Sequence, residues 1–337
     1  PKQFHAMAGE QTMLQEAVSR IEPVAAPGDI LVSTGVQMTG LVRGQLPALP
    51  AEQLIVEPAL RNTGPAVGLE CALLEARYPG CVVASLGSDH YIGRGEEFCR
   101  LLQVADEALK AHPDYLFTLG VVPTRGETGY GYILRGEVLE EVAGQPVYKV
   151  EAFTEKPDAA TAAEYVENGQ YLWNSNMFVW KAATVLELFA RFEPEMHEAL
   201  MRIQAAVGTA EEAAVIAREY PALKAVAVDN AIIERAEKVA TIEADIDWGD
   251  IGSWAALTDV LPVDDMGNLL SGEVVTVDVA NSTVYGRAGK VVALIGVEDL
   301  VVVDTEDALL ICKKDEAQRV KEVLERLRGE DEYGKYS

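Results

Sequence analysis

Cysteine and positive charge are both scarce in this chain, and each scarcity removes a class of function. The 337 residues hold four cysteines, Cys71, Cys81, Cys99 and Cys312, with no C-x-x-C spacing among them. Three lie in apolar helix-like or strand-like patterns, so they read as small core residues of a protein in a reducing compartment, not as a disulfide framework. Lysine and arginine number 28 against 54 aspartates and glutamates, a formal charge of -26. That balance argues against nucleic acid or an anionic membrane as a partner. A protein this acidic binds polyphosphates only through local lysines, backbone amides or a divalent metal. Apolar runs of membrane-spanning length are missing, and no signal-peptide pattern opens the chain, so a soluble cytoplasmic protein is expected.

What is present is enough for one large domain and a smaller one. Helical periodicity places Met13, Leu14, Ala17, Val18 and Ile21 on one face. Strands are expected at 29–34, 54–56 and 115–122, with helices at 40–46, 65–78 and 95–111; the Pro near the start of 65–78 and a capping residue ahead of it mark that helix's entry. Strand and helix alternating in this way predict a doubly wound, mixed but mostly parallel sheet. Beyond about 262 the composition changes to short Val-rich segments separated by Asn, Gly and Asp turns, closed by a charged helix at 315–328 and a polar tail at 329–337. Two domains are therefore expected, 1–262 and a β-rich 263–337, for which a left-handed β-helix is one candidate form.

Four stretches carry candidate chemistry. The apolar run 81–86 leads through Gly87 and Ser88 to Asp89 and His90; as a buried central strand it would deliver Asp89 to the ligand-binding end of the sheet. A plain turn or helix-cap aspartate is the competing reading. A second acid, Asp250, sits among glycines and tryptophans at 247–254, at an apparent strand-to-helix turn, and the two carboxylates would suit one Mg2+ ion, which keeps few carboxylates and fills its shell with water and phosphate oxygens. The loop 124–132, with Gly126, Gly129 and Gly131 beside two tyrosines, reads either as a ligand-cleft loop or as a β-hairpin. In the aromatic strand 171–180, Asn174 and Asn176 either bind sugar hydroxyls or satisfy neighbouring backbone.

Taken together and in order, Pro1-Lys2-Gln3-Phe4, Glu57-Pro58 with Arg61-Asn62-Thr63, Gly87-Ser88-Asp89-His90, Thr128-Gly129-Tyr130-Gly131-Tyr132, Phe153-Thr154-Glu155-Lys156-Pro157, Trp173-Asn174-Ser175 with Met177-Phe178, and Trp248 with Asp250 and Gly252-Ser253-Trp254 resemble the mannose-1-phosphate guanylyltransferases. The resemblance implies a sugar-phosphate nucleotidyltransferase fold and a reaction of GTP with mannose 1-phosphate that gives GDP-mannose and pyrophosphate by direct displacement at the α-phosphorus. Position by position, it implies Asp89 and Asp250 as Mg2+ ligands, Lys2 beside the nucleotide phosphates and Lys156 beside the sugar phosphate. Glu57 would accept from the guanine N1 and N2 hydrogens, with Arg61, Asn62, Thr63 and Ser88 completing the nucleotide side. Gly131, Glu155, Asn174 and Asn176 would meet the mannosyl hydroxyls. A homodimer is expected.

Three departures stand out. The family's glycine-rich loop and the strand ahead of it are not in this sequence, and a longer polypeptide carrying them is expected. Asn176 replaces a glycine, and Asn230 replaces a tyrosine. The alternatives are a nucleotidyltransferase for another hexose 1-phosphate and a non-catalytic subunit that binds GDP-mannose.

Overall fold

The structure, a computed structural model, describes residues 2–7, 11–251 and 254–328. Pro1, Gly252, Ser253 and the tail at 329–337, all named above, lie outside the described residues. The described chain divides into two compact units. The first holds 2–5, 11–88 and 94–246, and the second 6–7, 89–93, 247–251 and 254–328. The last stretch of the second unit starts at Asp247, where the short strand at 248–250 pairs with 90–92.

In the first unit, α1 (Met13–Ile21), β1 (Val32–Gly35), α2 (Thr39–Gln45), β2 (Leu54–Glu57), α3 (Thr63–Arg77) and β3 (Val82–Ser85) follow in order. Thr12 opens α1 with a capping box closed by Gln15. Helix α3 starts at Thr63, two residues before Pro65; proline is tolerated there because the first-turn amides have no intrahelical acceptor. Gly68 on α3 lets Leu200 approach so closely that a methyl group would sit 2.7 Å from its Cδ1.

After β4 (His90–Ile92), which belongs to the second unit, come α4 (Gly95–Ala111), β5 (Leu116–Val121), β6 (Gly131–Val142), β7 (Gln145–Glu155), α5 (Ala159–Asn168) and β8 (Tyr171–Lys181). Asp158 caps α5, its Oδ1 accepting from the amide of Thr161 at 2.9 Å. Ala143 and Gly144, both left-handed, make the two-residue turn from β6 to β7. Helices α6 (Ala182–Phe192), α7 (Pro194–Ala206), α8 (Glu212–Glu219) and α9 (Val228–Ala231) precede β9 (Val239–Ala244).

The main sheet runs β3-β8-β5-β9-β7-β6. It is mixed, as expected, but not mostly parallel: β5–β9 is its one parallel pair among the described residues, and β1–β2 form a separate parallel pair. Strand β3 is likewise not central. It pairs with β8 alone, antiparallel, at the end of the order. A Val-rich run reports a tendency to be buried, and the neighbouring strand sets its direction. The core packs Leu69, Leu73, Phe178, Trp180, Phe189, Leu200 and Tyr220 together, joining α3, α6 and α7 to the sheet. No helix among the described residues is long and apolar enough to cross a membrane. All four cysteines are free, Cys71 and Cys99 buried and the other two half-buried.

In the second unit β4 pairs antiparallel with β10 (Trp248–Asp250). Beyond them, β11 (Leu269–Ser271), β13 (Thr283–Tyr285) and β15 (Leu300–Asp304) stack in parallel, and β12 (Val274–Val277) stacks on β14 (Val292–Ile295). Successive coils lying like on like make this a β-helix-like domain. Val279, Val284, Leu294 and Val302 fill it, and the left-handed Asp278, Asn281 and Asp299 turn its corners. Buried Asn268 ties two coils together, donating to Val279 O and accepting from the amide of Ser282, each at 2.9 Å. Strand β16 (Leu309–Lys313) and α10 (Val320–Arg328) close the unit.

Candidate functional site

The first unit gathers the sequence-predicted sugar residues. Strand β8 carries two extra residues between its pairings with β5, since Phe178 faces Thr118 and Asn174 faces Gly120. The bulge holds because side chains satisfy the carbonyls it frees: Ser175 Oγ donates to Leu119 O at 2.5 Å, and Thr118 Oγ1 donates to Met177 O at 3.1 Å. At its crest Asn176 adopts φ +54. That left-handed backbone suits glycine best and asparagine next, which is why asparagine can stand where the resembled family has glycine.

Three strands bring the cluster together. Gly131 opens β6 opposite Glu155, which ends β7, and a Cβ on residue 131 would stand 2.7 Å from Glu155 Oε2 and 3.4 Å from the Cβ of Asn174. Lys156 pairs with Glu155 at 2.9 Å, and that hydrogen bond holds the lysine's pKa above its ordinary value. Asn174 donates to Asn176 Oδ1 and to Asp229 Oδ1, both at 3.0 Å. Desolvation raises the carboxyl pKa of Asp229, and the bond from Asn174 opposes it.

Asp229 was not picked out from the sequence as a site residue. Asn230 turns instead to Glu234 at 3.1 Å. Of the stretch 124–132, Gly131 and Tyr132 open β6 and 124–130 is a held loop and not a hairpin: Tyr130 meets Trp173 edge-on at 5.3 Å, Arg125 stands 5.7 Å over the same ring, and Tyr132 Oη donates to Glu127 O at 2.9 Å.

Four of the predicted nucleotide residues, Glu57, Arg61, Asn62 and Thr63, lie along one clamped segment. Between β2 and α3 the chain is clamped to 220–228 by hydrogen bonds. Tyr220 Oη donates to Glu57 Oε2 at 2.5 Å, Arg61 Nε to Pro221 O at 2.8 Å, the amide of Gly64 to Val226 O at 2.9 Å, and the amide of Val228 to Thr63 Oγ1 at 2.9 Å. Asn62, at φ +67, caps α3 by accepting from the amide of Thr63 at 2.8 Å. Tyr220 is fully buried, and sequence reasoning missed it as well. Lys2 lies in a short 3-10 turn tied to α2 through Gln45 Nε2 and Phe4 O at 2.9 Å. Ser88 is in the turn that precedes β4.

In the second unit Asp250 pairs with His90, the residue after Asp89, so β4 and β10 bring the two predicted carboxylates onto adjoining backbone. Asp250 is the last residue of β10, ahead of the 3-10 turn that starts at Trp254, and Asp89 lies in a turn after β3 and not at its end. His90 stands edge-on to Trp248 at 5.5 Å and 3.9 Å from Asp89 Oδ1. Gly93 admits Asp247, whose Cβ would otherwise be 2.9 Å from a methyl group. Among the described residues no three or more His, Cys, Asp or Glu side chains cluster as a ready metal cage. Two carboxylates are hard oxygen donors, the chemistry that suits Mg2+ and not a thiolate or imidazole metal.

Comparison with known proteins shows the family of the chain. Residues 1–265 match the nucleotidyl transferase family, and residues 272–327 match the MannoseP isomerase/GMP-like beta-helix domain. A mannose-1-phosphate guanylyltransferase of Klebsiella pneumoniae is 37% identical over 97% of this chain and 69% of its own length, and the protein of the same name from Escherichia coli strain K12 is 34% identical over 98% and 69%.

The chain belongs to the mannose-1-phosphate guanylyltransferase family.

Its fold is that of the family. A solved Thermus thermophilus structure described as a mannose-1-phosphate geranyltransferase superposes with a TM-score of 0.83 at 34% identity, covering 94% of this chain and 90% of its own. A mannose-6-phosphate isomerase of Helicobacter pylori shares the fold at 20% identity with a TM-score of 0.60.

Proposed function

We propose that the protein transfers GMP from GTP to mannose 1-phosphate. A phosphate oxygen of the sugar phosphate forms a bond to the α-phosphorus of GTP as the bond to the β-phosphate oxygen breaks; GDP-mannose is formed and pyrophosphate leaves with the electron pair. The observation that carries the reading is the meeting of Gly131, Glu155, Lys156 and Asn174 at one place in a chain of this family. No protein nucleophile is needed, because such transfers depend on positioning and charge neutralisation.

Each group then has a role its chemistry suits. Lys156, kept charged by Glu155, neutralises the sugar phosphate, and Glu155 takes a pair of hexose hydroxyls. Glu57 accepts from guanine N1 and N2, a donor pair adenine lacks, while Asn62 and Thr63 at the start of α3 and Arg61 and Ser88 complete the nucleotide side. Lys2 neutralises nucleotide phosphate. Asp89 and Asp250 would hold Mg2+, which when bound supplies positive charge to phosphate oxygens.

Pyrophosphate release measured with GTP and a panel of hexose 1-phosphates tests the reading. Turnover is expected to be fastest with mannose 1-phosphate, and equal or faster turnover of glucose 1-phosphate overturns the assignment. Asp89→Asn and Asp250→Asn are each expected to lower kcat by about a hundredfold or more with the melting temperature unchanged; near-normal turnover removes that residue from the mechanism. The expected homodimer is supported by the outer face of β12 and β14, where Val275, Val277 and Ile295 stand exposed. A monomer mass by light scattering would exclude it.

A further inference from the structure

Asn174 has almost no hydrogen-bonding capacity left for a sugar. A side-chain amide offers two N–H donors and one oxygen with two lone pairs. Here both donors are spent, on Asn176 Oδ1 and Asp229 Oδ1, and the oxygen already accepts from the amide of Asn176 at 3.2 Å. The orientation is fixed by its partners. Turned over, the amide would set its oxygen against the carboxylate of Asp229 and its NH2 against the N–H of Asn176, and neither contact is a hydrogen bond.

Asp229 is the converse case. Its Oδ1 is held by Asn174, and its own backbone amide is the other donor acting on the carboxyl. A partly desolvated carboxylate with so few donors gains from a hydroxyl hydrogen bond. Glu155 and Lys156 share its surroundings, since both act on it electrostatically. A neutral hydroxyl brings a donor without adding negative charge beside Glu155. A second phosphate would be repelled there.

Building on the sugar site proposed above, we infer that Asp229 accepts a hydrogen bond from one hydroxyl of the hexose, and that Asn174 is a positioning residue that aims the carboxylate of Asp229. The hexose hydroxyls are then met by two carboxylates, Glu155 and Asp229, and by the remaining N–H of Asn176.

The test measures kcat/KM of the wild type, Asp229→Asn and Asp229→Ala with mannose 1-phosphate and its 2-, 3-, 4- and 6-deoxy analogues. Asp229→Asn keeps the side chain's size, so it separates function from packing. It is expected to lower kcat/KM for mannose 1-phosphate by about ten- to a hundredfold, the worth of one hydrogen bond to a charged group, while KM for GTP stays within about twofold. For one deoxy analogue, and only one, variant and wild type should agree, because the hydroxyl that Asp229 holds is already gone. An equal proportional loss across all the analogues, or no loss at all, overturns the proposal.

Should both variants fail to fold, the wild type alone still decides: if no single deoxy position costs it tenfold, Asp229 holds no hydroxyl. The underlying reading fails separately, by a wild type that turns over another hexose 1-phosphate in preference, and the same comparison then runs on deoxy forms of that hexose. A wild type that turns over none overturns both.

Discussion

A methyl group at position 131 would stand 2.7 Å from Glu155 Oε2 and 3.4 Å from the Cβ of Asn174. The near atom is the far end of a flexible side chain, so the fold can accommodate alanine by swinging the glutamate aside. Swinging it also removes the carboxylate from the place where it would take hydroxyls. Gly131→Ala is therefore expected to raise KM for mannose 1-phosphate by about tenfold or more, with KM for GTP and the melting temperature little changed. Steady-state kinetics with each substrate varied in turn checks this; equal changes in both KM values would mean that the glycine serves the fold.

Glu70 offers a second test at this scale, through pH. Loss of water around its carboxyl raises its pKa to about 7, and the charge of Glu57 adds to the rise. A carboxyl raised on folding keeps its proton in the native state after the unfolded chain has lost it, so wild-type stability falls as pH climbs from about 4.5 towards 7. Glu70→Gln cannot ionise. Its stability relative to the wild type is expected to grow by roughly 3 kcal/mol at most between pH 4.5 and pH 8, read from urea midpoints at the two pH values. No difference between the two pH values would show that Glu70 titrates normally.

At the scale of elements, the segment 220–229 joins two clusters within the first unit. Tyr220, Pro221, Val226 and Val228 hold the loop from Glu57 to Gly64, and Asp229, the next residue, holds Asn174. Tyr220→Phe removes a hydroxyl that is fully enclosed and bonded to Glu57. Freed of that bond, the carboxylate loses its fixed direction. KM for GTP should then rise about three- to thirtyfold, with KM for mannose 1-phosphate unchanged and discrimination against ATP reduced. A uniform fall in kcat for every nucleotide would assign Tyr220 a packing role only.

The same segment shows where reading the sequence stops. Asp158 as the cap of α5, the β-rich region after 262, and the family carried by the ordered motifs were all legible, because each is a local pattern or a resemblance carried by short stretches. Asp229 and Tyr220 were not. Each acts on a residue far off in the chain, 55 positions in one case and 163 in the other, and a single sequence carries no signal for such pairs. The mostly parallel sheet was misread for a related reason, since the alternation of strands and helices does not tell which strand lies beside which. The short strand that Asp250 ends was not seen because three residues, Trp248 to Asp250, are too few to show a period.

The charge of the molecule as a whole makes a prediction that no single residue makes. A formal charge of -26 opposes two substrates that are themselves multiply negative. Most enzymes of anionic substrates steer them in, and added salt slows their association. Here the long-range field repels, and attraction is confined to a few local cations. Lys156 among them is paired with Glu155 at 2.9 Å, so its field is short in reach. Screening with a Debye length of about 10 Å at 0.1 M suppresses the distant repulsion before it weakens contacts made at touching distance. At fixed free Mg2+, kcat/KM for mannose 1-phosphate is therefore expected to rise as KCl goes from about 10 to about 100 mM, and to decline only at higher salt, when the close contacts are screened in turn. A decline from the first addition would mean that local positive potential extends well beyond the site and governs the approach, against the sign of the protein's total charge.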